Sequence, residues 1–471
     1  MRRVHAIGLA LAAIVLVCSC CYRVLETPFW NVNGSRLMPS FALSHGVNYY
    51  VDLARGGPLY STLYGPLVAI VYLPATWFPT PNSAVLAGAA ITALVCFGAA
   101  AFLHFGRANA ANTVAFLAAG QLICYLDPLT YSCFNIHADG PGLAFAAIAC
   151  GTLYPERRSL PVSALCAVLA IFSKQMFVAV PIALLAYLLL AAGRKSAWRY
   201  LLWLTLAGGA AGAAAIAVWG FGPLYHCLIW LPSHHPWNNR SALFSWIQAG
   251  RQMIRLSMPV LVLLVAGAIY RWRLLAAGRA APVLLVGIAL VPFSILGRAK
   301  MGGDINSLSF ATFFLTCGLT LLLADMARER LAMSTLLAIL IALTAYEAPL
   351  AFGIAAKIGQ LPAAPQQVAF RYLQRHPGEA YFPWFPLSHY EAEHKFRHYA
   401  FGIADRLMAG EDVSMQEFRA YVPRDPRIVA LSADGSRDML GYDLMQFLPA
   451  YDSPGTDPEL PGWVVYRKHT P

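Results

Sequence analysis

The chain has 471 residues, of which 58% are hydrophobic and only 12% charged, with a mean hydropathy of +0.56. That composition excludes an ordinary soluble domain and a disordered chain, and it is the composition of an integral membrane protein. The net charge of +11 does not point to nucleic acid, because the basic residues lie in short loops between apolar runs. Most of the ten cysteines fall inside apolar runs, with no CxxC pair or Cys/His metal spacing. One disulfide is conceivable, Cys133 with Cys227, if both lie in outer loops.

Twelve apolar runs can be drawn: 6–22, 66–79, 83–104, 113–126, 141–155, 160–173, 176–192, 200–219, 257–270, 281–297, 308–324 and 331–348. The basic clusters between them are Arg2/Arg3, Arg107, Arg157/Arg158, Arg194/Lys195/Arg199, Arg271/Arg273/Arg279 and Arg328/Arg330. Such clusters face the cytoplasm. All six do so together only if run 66–79 does not span. That run is about fourteen residues long, carries Pro74 inside and a proline at each end, and suits an interfacial or re-entrant segment. The reading is a polytopic α-helical membrane protein with about eleven spans, N-terminus cytoplasmic and C-terminus outside. The run from Ala6 to Tyr22 is an uncleaved first span, because no small-x-small cleavage site follows it.

Fourteen of the twenty-three acids lie in residues 352–471. The chain therefore divides into a membrane domain, 1–351, and an extracytoplasmic soluble domain, 352–471. The nine acids of the membrane domain are the pool for any carboxylate chemistry. Glu26, Asp52, Asp127, Asp139, Asp304 and Glu347 fall at or near the outer face, and Glu156, Asp325 and Glu329 lie inside among arginines.

In chain order, the first unusual stretch is the outer loop 23–82. It is long and aromatic, with Trp30, Tyr49, Tyr50, Tyr60, Tyr64, Tyr72 and Trp77. A short interfacial helix is expected over Arg36–Leu43, and Gly46, Gly56, Gly57 and Gly65 mark turns. Interfacial anchoring accounts for many of these rings, and tyrosine and tryptophan also supply the stacking faces that sugar rings need. Asp52 is the acid in the middle of this loop, and a surface pair with Arg55 is its plainer reading. Next comes Cys133-Phe134-Asn135-Ile136-His137-Ala138-Asp139-Gly140-Pro141, between two apolar runs. An ionisable group at membrane depth costs on the order of 2.5–3.5 kcal/mol, so Asp139 and His137 are functional candidates. The alternative is that Asp139 caps the helix beginning at Pro141. At the next outer turn Ser173-Lys174-Gln175 places a lone lysine at the end of an apolar run, as a phosphate ligand or as a side chain snorkelling to the interface.

Loop 220–256 carries Tyr225, His226, Trp230, His234, His235, Trp237, Asn239, Arg240 and Trp246, a content that fits a loop covering a substrate. His234-His235 raises metal binding, with no carboxylate nearby in sequence. Asn239-Arg240-Ser241 matches the N-glycosylation pattern. Loop 298–307 combines Arg298, Lys300, Gly302-Gly303, Asp304 and Asn306. Glycine-freed amides with two cations can cradle a phosphate, or they form a charged turn between spans. In the tail, helices are expected over 366–375 and 391–408 and strands over 427–432 and 462–466. It holds no nucleophile elbow, P-loop or metal motif, and its expected part is to shape access for an acceptor.

The membrane domain resembles the GT-C glycosyltransferases, which include the protein O-mannosyltransferases and the aminoarabinose transferases that modify lipid A. The resemblance is to bacterial relatives of families 39 and 87. It rests on the first span, the long outer loop with interfacial segments, Tyr64-Gly65-Pro66-Leu67, His137-x-Asp139-x-Pro141 before a span, and Ser173-Lys174-Gln175. It implies transfer of a sugar from a polyprenyl-phosphate donor to a lipid, glycan or protein acceptor, with inversion, at the outer face of a bacterial cytoplasmic membrane. An outer-loop carboxylate would be the base. On this reading Asp139 and Asp52 are the candidates for base or sugar-hydroxyl ligand, and His137 orients. Lys174, Arg298 and Lys300 hold the phosphate, and Asp304, Asn306 and Tyr64 complete the substrate contacts. The family's early acid in the first outer loop is replaced here by Asn31-Val32-Asn33-Gly34. A divalent metal is left open, and no nucleic acid is expected. Two other functions compete. A transporter or flippase of lipid-linked glycans predicts charges or broken helices in mid-span and an internal repeat, neither of which the sequence shows. A catalytically silent GT-C-like partner subunit fits the missing early acid.

Overall fold

The computed structural model describes residues 2–106, 109–239, 241–431, 438–439, 441–451 and 453–468. Arg107 and Arg240, singled out above, and residue 432 of the expected strand 427–432 lie outside the described residues. Among the described residues seven helices are long and apolar enough to cross a bilayer, and an eighth span results if the bent pair Ala110–Tyr125 and Asp127–Phe134 counts as one. The helices Leu160–Ser173 and Ala179–Ala191 are apolar but only 14 and 13 residues long. The chain is a polytopic helical membrane protein that also carries a small sheet.

It forms two compact units. The first gathers residues 1–24, 90–215 and 237–356. At its centre is Ser309–Asp325, buried along its whole apolar window, with Thr312, Thr316 and Thr320 on one face of an otherwise apolar helix. Helix Ala280–Ala299 packs against it closely. A side chain at Gly318 would place its first carbon 2.4 Å from the end of the Leu284 side chain, so the glycine lets the two helices approach closely. Polar side chains inside this bundle bond across helices. His104 Nε2 lies 2.9 Å from Thr320 Oγ1, its Nδ1 2.7 Å from the Ala100 carbonyl, and Ser257 meets Thr312 at 3.0 Å. Arginines close helix ends: Arg157 donates to the Phe102 carbonyl, and Arg279 donates to Asn112 and Asp325. Arg23 and the buried Glu347 face each other at 3.7 Å.

The second unit gathers residues 25–89, 216–236 and 357–471. The interfacial helix runs Asn31–Ser44, longer than the 36–43 expected. Run 66–79 becomes a short helix, Leu67–Val71, and a 3-10 helix, Leu73–Trp77, with Pro74 in the latter's first turn. Loop 45–65 is knitted to the tail by one arginine. Arg406 is completely buried and donates to the carbonyls of Val51, Tyr60 and Gly402 at 3.0, 3.2 and 2.8 Å. His398 Nδ1 accepts from the Leu59 amide, and its Nε2 meets the Glu417 carbonyl. This is why the loop's tyrosines are not open stacking faces: Tyr49, Tyr50, Tyr60 and Tyr72 are all buried. Trp77, 80% exposed, and Trp30 keep an outward position.

In the tail, the single helix expected over 391–408 is two, Pro386–Glu393 and Ala400–Met408, because His394 takes a left-handed conformation (φ 53°) that ends the first. The preceding helix is Pro365–Arg375. The strands are Ala380–Tyr381, Ile428–Leu431, Val464–Arg467 and Ser453–Gly455, in that spatial order. The first pair is parallel and the others antiparallel, with Val429 opposite Tyr466. A second ribbon pairs Asp438–Met439 with Tyr442–Asp443. All ten cysteines are free, Cys133 and Cys227 both buried, so the disulfide considered above does not form. The Cys227 thiol is directed instead at the Val51 carbonyl.

Candidate active site

The site is built beside a sharp bend between two helices. After Ala110–Tyr125 the chain turns by 93° into Asp127–Phe134, with Pro128 in the first turn of the new helix and Leu126 extended before it. A short turn, 135–138, then leads into Asp139–Gly151. Asp139 is not the cap of that helix. Ala138 holds the cap position and no side chain makes a capping bond. The Asp139 carboxylate points among other side chains and is fully buried.

Its two oxygens collect four side-chain partners. Oδ1 accepts from Lys174 Nζ at 2.7 Å. Oδ2 accepts from Asn306 Nδ2 at 2.6 Å and Ser132 Oγ at 3.1 Å, and His137 Nδ1 lies 2.8 Å away. Ser132, His137, Lys174 and Asn306 are themselves buried. A carboxylate can be kept in such a place only when paired and hydrogen-bonded, and this one is. Lys174 also sits over the Phe310 ring, 4.7 Å from its centre. Phe310 meets Phe177 at 5.2 Å, and Phe177 fills the space left by Gly142, where a side-chain carbon would come within 2.3 Å of the ring.

Four of the residues named from sequence, His137, Asp139, Lys174 and Asn306, thus come together. The others take different partners. Arg298 donates to Gln252 Oε1 at 2.8 Å and to the Gly303 carbonyl at 3.1 Å. Lys300 lies 4.6 Å over the Trp237 ring, and partial burial lowers its pKa. Asp304 caps the 3-10 helix Ile305–Leu308 through the Ile305 amide. In the second unit, Asp52 accepts from the Arg55 amide at 3.0 Å and faces its guanidinium at 3.8 Å, with its side chain 25% exposed. The Tyr64 carbonyl accepts from the Tyr50 hydroxyl at 2.6 Å. Glu26 pairs with Lys357 at 3.6 Å.

The two neighbouring histidines take separate partners. His234 stacks on Trp230, while His235 turns to Asp405. Among the described residues no group of three or more His, Cys, Asp or Glu side chains is placed to hold a metal ion. Ser132 is the member of the Asp139 cluster that the sequence reading missed, since a serine in a short polar stretch carries no signal of its own.

The whole chain superposes on solved structures of ArnT from Cupriavidus metallidurans. With the form bound to undecaprenyl phosphate the TM-score is 0.58 at 12% identity, covering 97% of both chains. With the apo form it is 0.55 at 13% identity, covering 98% of this chain and 97% of the other. The chain has the GT-C fold. No family model matches it, and no curated protein matches its sequence, so the GT-C likeness is carried by the path of the backbone. Within this GT-C fold the likeness extends beyond the membrane segments into the tail, since nearly every residue is covered.

Proposed function

We propose that this protein transfers a sugar from a polyprenyl-phosphate donor to an acceptor lipid, glycan or protein at the outer face of a bacterial cytoplasmic membrane, with inversion. The observation that carries the reading is the match over 97% of both chains to a protein solved with undecaprenyl phosphate. The buried cluster at the bend between two helices supports it, because a desolvated ionic group at such a place is characteristic of function.

The two acids are assigned different tasks. Asp139 has its oxygens engaged by Lys174, His137, Ser132 and Asn306, which suits a positioning residue better than a proton acceptor. It holds Lys174 and His137 where positive charge stabilises the leaving polyprenyl phosphate. Asp52 keeps solvent access and is assigned the base that takes the proton of the acceptor hydroxyl. Arg298, Lys300, Asp304, Asn306 and Tyr64 are assigned to substrate contacts or to the turns that carry them. The tail is assigned to acceptor access.

The test is a glycan profile of cells lacking the protein, complemented with wild type or Asp52→Asn at equal expression. Loss of a sugar from a lipid, polymer or protein on deletion, restored by wild type and not by the variant, is the expected result. General-base catalysis contributes about 10²–10⁴-fold, so the variant should restore about 1% or less. Full restoration by the variant removes the base assignment. An unchanged glycan profile on deletion removes the transferase reading.

A further inference from the structure

In the first unit a polar cleft of about 290 Å³ is lined by Asn238, Asn239, Ser245, Gln248, Gln252 and Arg298. This is near the lower end of the roughly 300–1,000 Å³ typical of small-molecule sites, which suits a ligand of monosaccharide size. The cleft has a rigid frame. The Asn238 amide donates to the Ala299 carbonyl at 2.9 Å, its side chain donates to the Arg298 carbonyl at 2.7 Å, and Trp237 bridges to Lys300. Ser245, buried, accepts from the Asn239 amide and donates to the Ser241 carbonyl, both at 3.0 Å. The polar part of the lining is four carboxamides, one hydroxyl and one guanidinium, beside the methyl of Ala249, with no acid and no thiol.

Each feature narrows the ligand. The Asn239 and Gln248 carboxamides each offer a donor and an acceptor side by side, the complement of vicinal hydroxyls, while Asn238 and Gln252 each spend one group on Arg298. The absence of carboxylate or thiol from the lining argues against a cation or metal. Arg298 is held by Gln252 Oε1 and the Gly303 carbonyl, so among the described residues neither hydrogen-bond partner of its side chain is charged, and its positive charge is left to a ligand. We propose that this cleft binds a sugar ring bearing an anionic substituent, its hydroxyls on the carboxamides and its negative group on Arg298. The cleft is tied to the Asp139 cluster by one short stretch of chain, since Arg298 opens the turn whose far end supplies Asn306. The inference deepens the sugar-transfer reading and rests on it for its meaning in the cell, and it is measured by binding rather than by transfer.

The test uses the full-length protein in nanodiscs, with methyl glucuronide and methyl glucoside as probes, followed by saturation-transfer NMR and titration. Methyl glucuronide should bind about tenfold more tightly than the glucoside, the effect of one charge-assisted hydrogen bond. Gln248 is exposed, so Gln248→Trp should fill the cleft without disturbing the fold and abolish the signal. Arg298→Gln should equalise the two probes. Asp52→Asn, which should stop transfer, should leave binding intact. If Gln248→Trp is poorly folded, Gln248→Leu should weaken both probes. No saturation of either probe, equal binding of the two by wild type, or wild-type binding in a well-folded Gln248 variant overturns the proposal.

Discussion

Replacing Asp139 by Asn keeps the shape of the side chain and removes its charge. Lys174 is then left buried without its counter-ion, and breaking a buried pair from one side costs about 3–5 kcal/mol. Asp139→Asn should therefore lower the thermal midpoint of the purified protein strongly, while Asp139→Asn with Lys174→Met should lower it by clearly less than the two single changes added together. Strictly additive losses would show that the 2.7 Å contact carries no coupling energy. At this scale the sequence is informative where a charge interrupts an apolar run. Asp139, His137 and Lys174 announce themselves in that way. Asn306 stands out through the polar company it keeps in loop 298–307. Ser132 and Arg406 had no such mark. Ser132 matters through Asp139, seven residues on, and through the distant Asn306 carbonyl, and Arg406 lies in a tail rich in charges, with nothing in the sequence to show that it is buried against three carbonyls.

Among the elements, Gly142 sets how closely the helix Asp139–Gly151 approaches its neighbour. With Phe177 within 2.3 Å of where a side chain would begin, Gly142→Val overpacks the contact by about 1–3 kcal/mol. Phe177 touches Phe310, and Phe310 lies under Lys174, so the damage should reach the site. Transfer activity should fall along with the thermal midpoint, and Phe177→Leu in the same chain should recover part of both. Loss of stability with unaltered activity would disconnect this contact from the Lys174 ammonium. The elements were legible where apolar runs were long. Helix breaks were harder to read. Asp127–Phe134 carries no periodic sign in the sequence, because eight residues are too few for one to show against the adjoining apolar run. The left-handed residue that divides the tail helix is His394, where a glycine would have been the expected signal.

For the molecule as a whole, pH acts most directly on the second unit. Burial, helped by the nearby Arg406 charge, lowers His398 from 6.5 to about 4. The folded state then binds fewer protons than the unfolded state between those values. The stability from this group is full above pH 6.5 and is lost as pH falls to 4, by about 3 kcal/mol in all. Glu391 works the other way. Burial raises it to about 7, so its contribution is present below its ordinary 4.5 and is lost as pH rises to 7, weakened by its partial exposure to solvent. The fully buried histidine should dominate, and the thermal midpoint should drop between pH 6.5 and 4.5. His398→Gln, which can accept from Leu59 and donate to Glu417 in the same way, should flatten that slope. An unchanged slope would place the acid sensitivity elsewhere. The Asp139–Lys174 pair also has a consequence for how the chain is made. Its members are 35 residues apart, and at about 5–20 residues per second of synthesis Lys174 emerges roughly 2–7 s after Asp139. Until then the acid has no cation of its own from the following helix, and leaving it alone in lipid is unfavourable. The segments Asp139–Gly151 and Leu160–Ser173 therefore enter the bilayer most cheaply together, as one hairpin in which the charges are already paired.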